Sequence, residues 1–118
     1  MNNTAKTVHV FHSNATSIST GNDYSISNSA DICKLDFIIE DGTTFTTEIS
    51  VKVTDDSEWK LIPIVKDSTC TIITNGTIND ASSNYTIDLR GIAYLRVDLT
   101  DISGTLDVLG RMVGWQVW

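Results

Sequence analysis

One proline and two cysteines are all that the 118 residues hold of either type. So few cysteines exclude a disulfide framework, and a chain of this length needs none, because it can bury roughly two thirds of the surface its unfolded form exposes. Cys33 and Cys70 read as free thiols. Neither has the basic neighbour that would activate a nucleophile, since Lys34 points to the opposite face of a strand from Cys33. Long apolar runs are missing too. The longest is Leu61 to Val65, far short of a membrane span. The polar start Met1 to Thr4 and the short cluster Val8 to Phe11 lead to the expectation of no secretory leader. Basic residues are scarce, 8 against 15 acidic, for a formal charge of −7. That balance opposes binding to a phosphate backbone, so no nucleic-acid partner is expected. Finally, no apolar stripe of helical period runs for three turns anywhere, which leaves an all-β chain.

What is present is alternation. From Ile32 to Val53, Cys33, Leu35, Phe37 and Ile39 alternate with polar or outward residues, and so do Phe45, Thr47, Ile49, Val51 and Val53. The two arms read as one long hairpin, joined by Glu40-Asp41-Gly42 with Gly42 left-handed, so that Phe37 faces Phe45. An opening strand is expected over Thr7 to His12, and a loop with one or two short strands over Ser13 to Asn28. Glu58 to Lys66 follows a turn cluster, and Pro63 either places it at a sheet edge or breaks it. Asn75-Gly76 is a hairpin signal that sets Ile73 opposite Ile78. Strands then follow at Tyr85 to Leu89, Ile92 to Leu99, around Leu106 and Val108, and from Met112 to Trp118. Eight to ten short strands imply a single antiparallel β-sandwich over residues 1–118, with a jelly-roll order among the possibilities.

The residues that carry chemistry elsewhere are not arranged for it here. His9 and His12 lie three apart on a strand and face opposite ways, so they do not chelate one metal ion. The acidic groups Asp55-Asp56-Ser57-Glu58 and Asp98 to Asp107 lack the spacing of a calcium loop and read as solvated turns. No catalytic triad, nucleophile elbow or phosphate-cradling loop is legible. No catalytic residue, metal or cofactor is therefore expected.

The stretch from Tyr85 to Arg111, with a turn glycine at Gly91, a Leu95-Arg96-Val97 strand and an Ile102-Ser103-Gly104 turn, resembles the closing strands of small β-sandwich modules in tailed-phage virion proteins. The segment from Asp56 to Pro63 around Trp59 is similar to another strand of those modules, with Ser57-Glu58 where a glycine is usual. The resemblance covers about half of the chain. It implies a non-enzymatic virion protein of the capsid surface, a decoration or auxiliary protein that binds the major capsid protein or other virion proteins as several copies. Residues 1–12 would be an arm or edge strand against a partner. Val8, Val10, Phe11, Trp115 and Trp118 are the expected interface residues, the last two because Trp is enriched at interface hot spots. The alternatives are a carbohydrate-binding module stacking sugars on Trp59, Tyr85, Tyr94 or Trp115, and a tail or head-to-tail connector component.

Overall fold

The computed structural model describes residues 3–26 and 30–116, with side chains from 7 to 26 and from 31 to 114. The described residues form eleven strands: β1 (Asn3–Ala15), β2 (Tyr24–Ser25), β3 (Ala30–Ile39), β4 (Thr44–Lys52), β5 (Lys60–Leu61), β6 (Ile64–Lys66), β7 (Thr71–Ile73), β8 (Thr77–Ile78), β9 (Tyr85–Asp88), β10 (Tyr94–Ser103) and β11 (Leu106–Gln116). They build two antiparallel sheets. The larger runs β1-β11-β3-β9-β6-β7 and the smaller β2-β10-β4-β5, with β8 also paired to β4. The facing sets β1-β11-β3-β9 and β2-β10-β4-β5 are the two four-stranded layers of a jelly roll, and β6, β7 and β8 are additions to it.

The stretch expected to be a hairpin is instead an arch between the sheets. β3 pairs with β11 and β9, while β4 pairs with β10. The inward rows are as the alternation requires, with Cys33, Leu35, Phe37, Phe45, Ile49 and Val51 buried. Phe37 does meet Phe45, stacked at 5.4 Å between ring centroids, but across the sandwich and not along a ladder. The arch wins because each arm finds a longer partner elsewhere, and the two apolar rows then cover each other. Gly42 takes the expected left-handed conformation, φ +83, in the bend where Thr43 N donates to Glu40 O. Ile39 and Val53, also expected inside, are exposed at the rim.

A second arch turns β10 into β11 at Gly104, φ +120. The two are tied together, since Thr105 N donates to Thr43 Oγ1 at 3.1 Å. The Asn75-Gly76 hairpin is overturned in the same way. Gly76 is left-handed, φ +69, yet Ile73 pairs with Ile64 in one sheet and Ile78 with Thr47 in the other. Its carbonyl accepts from Ile49 N at 2.9 Å as the chain crosses between layers. Pro63 does break its segment, because β5 and β6 belong to different sheets.

The core contains Phe11, Leu35, Ile49, Ile64, Ile78, Tyr85, Ile87, Leu89, Leu95, Val97, Leu99 and Leu106, all essentially inaccessible. Burial of each large side chain stabilises by about 1.5–3 kcal/mol. One gap in the smaller sheet is closed by a side chain. Leu99 exchanges both backbone bonds with Ser19, and Leu95 pairs with Tyr24, but between them Gly21, φ +68, swings the chain away from β10. Val97 faces that gap, and His12, buried, places Nε2 2.6 Å from its carbonyl. A side chain of the larger sheet thus occupies a place the missing strand would fill.

Two core groups make the fold sensitive to alkali. Burial, helped by Asp36, pushes the Cys33 thiol up to about 12 from near 9, and burial pushes the Tyr85 hydroxyl up to about 12 from 10. Above pH 9 the unfolded chain releases protons that the folded one keeps, so ν_U falls below ν_N and stability declines as pH rises. From about pH 8 to about pH 10.5 the expected loss is on the order of 3 kcal/mol, most of it from Cys33, and urea midpoints across that range check it.

Candidate functional site

The outer faces of the two sheets differ in character. Across the larger sheet the register aligns one row over all six strands: Val8, Arg111, Lys34, Thr86, Val65 and Ile72. Same-face neighbours in a ladder stand about 5 Å apart, so this row is a continuous surface. Apolar groups lie at both ends and near the middle. Val8 is 61 % exposed, Ile72 65 % and Ile32 37 %, while Val10 and Ile38 are also open to solvent.

Between β3 and β7 this face dips into a groove of about 460 Å³ lined by Ile32, Pro63, Ile64, Val65 and Ile72. Asp31, Asp88 and Arg90 line it too, giving the apolar floor a charged margin. Arg90 grips Asp88 with both ends of its guanidinium, Nε to Oδ1 at 3.0 Å and Nη2 to Oδ2 at 2.7 Å. Those bonds hold the Asp88 carboxyl down near 2. The pair is largely exposed, so it shapes the rim more than it stabilises the fold. Beside the groove Lys34 Nζ contacts Asp67 Oδ2 at 3.1 Å and Thr86 Oγ1 at 2.7 Å.

The outer face of the smaller sheet is mainly polar and charged, with Leu61 exposed at its β5 edge. Arg96 and Asp98 pair at 2.7 Å between Nε and Oδ1, and the Arg96 guanidinium carbon lies 4.1 Å from the Trp59 ring centroid. Lys52 Nζ is 5.1 Å from the same centroid. The half-buried indole is thus stacked on two cations that the sheet presents together. Tyr94 donates its hydroxyl to Asp55, and that bond raises the phenol's pKa.

The expected sites are distributed unevenly over this surface. Val8 and Val10 are exposed, as an interface requires, but Phe11 is fully buried against Gly110, on the inner face where alternation from Val10 puts it, and the register shift between Val10 and His12 turns His12 inward as well. Trp115 occupies a β11 position opposite Thr4, with its side chain outside the described residues, and Trp118 lies outside them altogether. Of the four proposed sugar platforms, Trp59 and Tyr94 do share an outer face. Tyr85 does not belong with them. It is 1 % exposed, edge-on to Phe37 at 5.6 Å, with its hydroxyl donating to Asp80 O at 2.7 Å.

His9 and His12 do not converge on a metal either, since Nε2 of His9 meets Asn22 O at 2.9 Å while that of His12 meets Val97 O. Among the described residues no three His, Cys, Asp or Glu side chains gather around a common point. The groove was missed in the sequence because its walls come from four separated segments. The one local signal was Pro63, which marks where β5 and β6 part company.

No family model and no curated protein matches the chain. Two solved structures share its fold. SPBc2 prophage-derived protein YomS superposes with a TM-score of 0.86 at 15 % identity, over 97 % of each chain. The PBSX exported protein XepA superposes with a TM-score of 0.85 at 20 % identity, over 94 % of this chain and 38 % of its own. The chain therefore spans well under half the length of XepA. The all-β two-sheet architecture expected from the sequence is thus one shared with two phage-derived proteins, in one as nearly the whole chain and in the other as a part.

Proposed function

We propose that this chain is a non-catalytic binding module of a tailed phage, acting at the virion as a capsid decoration or auxiliary protein. The observation that carries the reading is the outer face of the larger sheet, where Ile32 and Ile72 stand exposed at an apolar groove with a charged rim and Val8 is exposed at the far edge. Exposed apolar surface bounded by charge is what a protein partner covers. The fold shared with two phage-derived proteins supports the phage setting. By binding assembled capsid subunits and not dissociated ones, such a module lowers the free energy of the assembled state. The net charge of −7 suits a position on the outside of a head, away from packaged nucleic acid.

Incubation with phage heads followed by sedimentation tests this. Saturable co-sedimentation is expected, weakened at least tenfold by Ile72→Lys, which sets a charge in the groove. Failure to sediment with heads and with whole virions would reject the reading. A second reading rests on Trp59 and Tyr94 sharing one outer face, the arrangement of a sugar platform. Binding on a glycan array that Trp59→Ala abolishes would favour it over the first.

A further inference from the structure

The jelly roll leaves four sheet edges, and three of them are blunt. At one end of the larger sheet β7 has three residues, and at the two ends of the smaller sheet β2 and β5 have two each. Such short edges, with Lys60 in β5 and Pro63 just after it, offer little to an incoming strand. The fourth edge is β1, thirteen residues long and paired on one side only, to β11. Its far end is covered, because Asn22 donates from N to Phe11 O and from Nδ2 to Val10 O. Among the described residues, the backbone from Asn3 to His9 bonds to β11 alone. Seven residues of strand extend about 23 Å. Over that length Lys6 is the one protective charge, there is no proline, and Val8 is exposed.

We propose that β1 pairs antiparallel with β1 of a second copy across a twofold axis, joining two larger sheets into one of twelve strands. Charge singles out the second copy. All 15 acidic residues lie at or after Asp23, so the first 22 residues hold none, on a chain whose net charge is −7. β1 is thus the edge along which two acidic bodies can approach with the least local repulsion. An antiparallel edge is also self-complementary, which a twofold contact demands. A register centred at Thr7 or Val8 keeps the two Lys6 positions from facing each other and brings the Val8 and Val10 positions of both copies onto one face. The contact is smaller than a standard interface, so association is expected to be micromolar or weaker. It does not depend on what the groove binds.

Sedimentation velocity from micromolar to near-millimolar protein, at low and high salt, decides. A reversible monomer–dimer equilibrium is expected, tighter at high salt because two negatively charged bodies are screened. Val8→Lys should weaken it at least tenfold, as should Val10→Lys, while Ile72→Lys on the opposite edge leaves it unchanged. Each variant replaces an exposed residue, and a melting curve like that of the unaltered protein confirms the fold. A monomer at every concentration, or dimers indifferent to Val8→Lys and Val10→Lys, would overturn the proposal. So would a protein that stays monomeric alone yet takes up an extended peptide along β1. Head binding measured on the same variants keeps this result separate from the groove.

Discussion

Tyr85→Ala is expected to lower the unfolding free energy by about 4 kcal/mol. The ring is inaccessible, lies edge-on against Phe37, and reaches the pair that Phe37 makes with Phe45 across the sandwich. Truncation leaves a cavity where the two sheets are held apart by aromatic rings. It also leaves the Asp80 carbonyl without the hydroxyl that donates to it. Tyr85→Phe keeps the ring and removes only that bond, for an expected loss of about 1 kcal/mol. Urea midpoints at unchanged slope measure both. If Tyr85 served as a surface platform for sugars, Tyr85→Ala would change stability by less than about 0.5 kcal/mol.

Gly110→Ala is expected to destabilise by about 3 kcal/mol, against the direction that strand propensity suggests. A glycine within a strand ordinarily weakens it, and alanine would stabilise by restricting the unfolded chain. Here an added Cβ would sit 2.5 Å from Phe11 Cε2 and 3.1 Å from Cys33 Sγ and from Met112 Cε. Phe11 and Cys33 are both fully buried, so neither has open space to retreat into. Phe11→Leu shortens the opposing ring, and combining it with Gly110→Ala should cost less than the sum of the two changes. A thermal double-mutant cycle reads that coupling, and strict additivity would show that the two sites do not touch.

The sequence displayed which residues face inward far better than which strands lie side by side. Alternation is a local property, and it assigned Cys33, Leu35, Phe37, Phe45, Ile49 and Val51 to the core correctly. Pairing is decided between distant segments. Asp41-Gly42 and Asn75-Gly76 carry the chemistry of a bend, and each does bend, but a left-handed glycine serves an arch as readily as a hairpin. Pro63 was the exception, because a missing N–H constrains the ladder directly. Surface sites were the least legible. Val8 and Phe11 looked alike as interface residues although the two stand three apart on a strand, so alternation puts one outside and the other in the core. Only the register shift that also turns His12 inward had no local signal. The groove joins Asp31 and Ile32 to Pro63, Ile72 and Asp88, positions that come together only after the sheet order is fixed.

The place of β11 between β1 and β3 also governs the order in which the molecule can be made. β1 pairs with β11 alone, and its register joins Asn3 to Gln116, so the first strand synthesised waits for the last. On a ribosome β1 emerges before all the other strands of this fold and stays without its partner until β11 has been translated. Contacts this distant in sequence put folding in the slow class of β-sandwiches, milliseconds to seconds, since a long loop must close before its contacts can form. During that interval both sides of β1 are open, and its freedom from acidic residues gives neighbouring nascent chains little mutual repulsion there. A cell making this protein at high density therefore meets its greatest risk of misassembly at the N-terminal strand, before the jelly roll has closed.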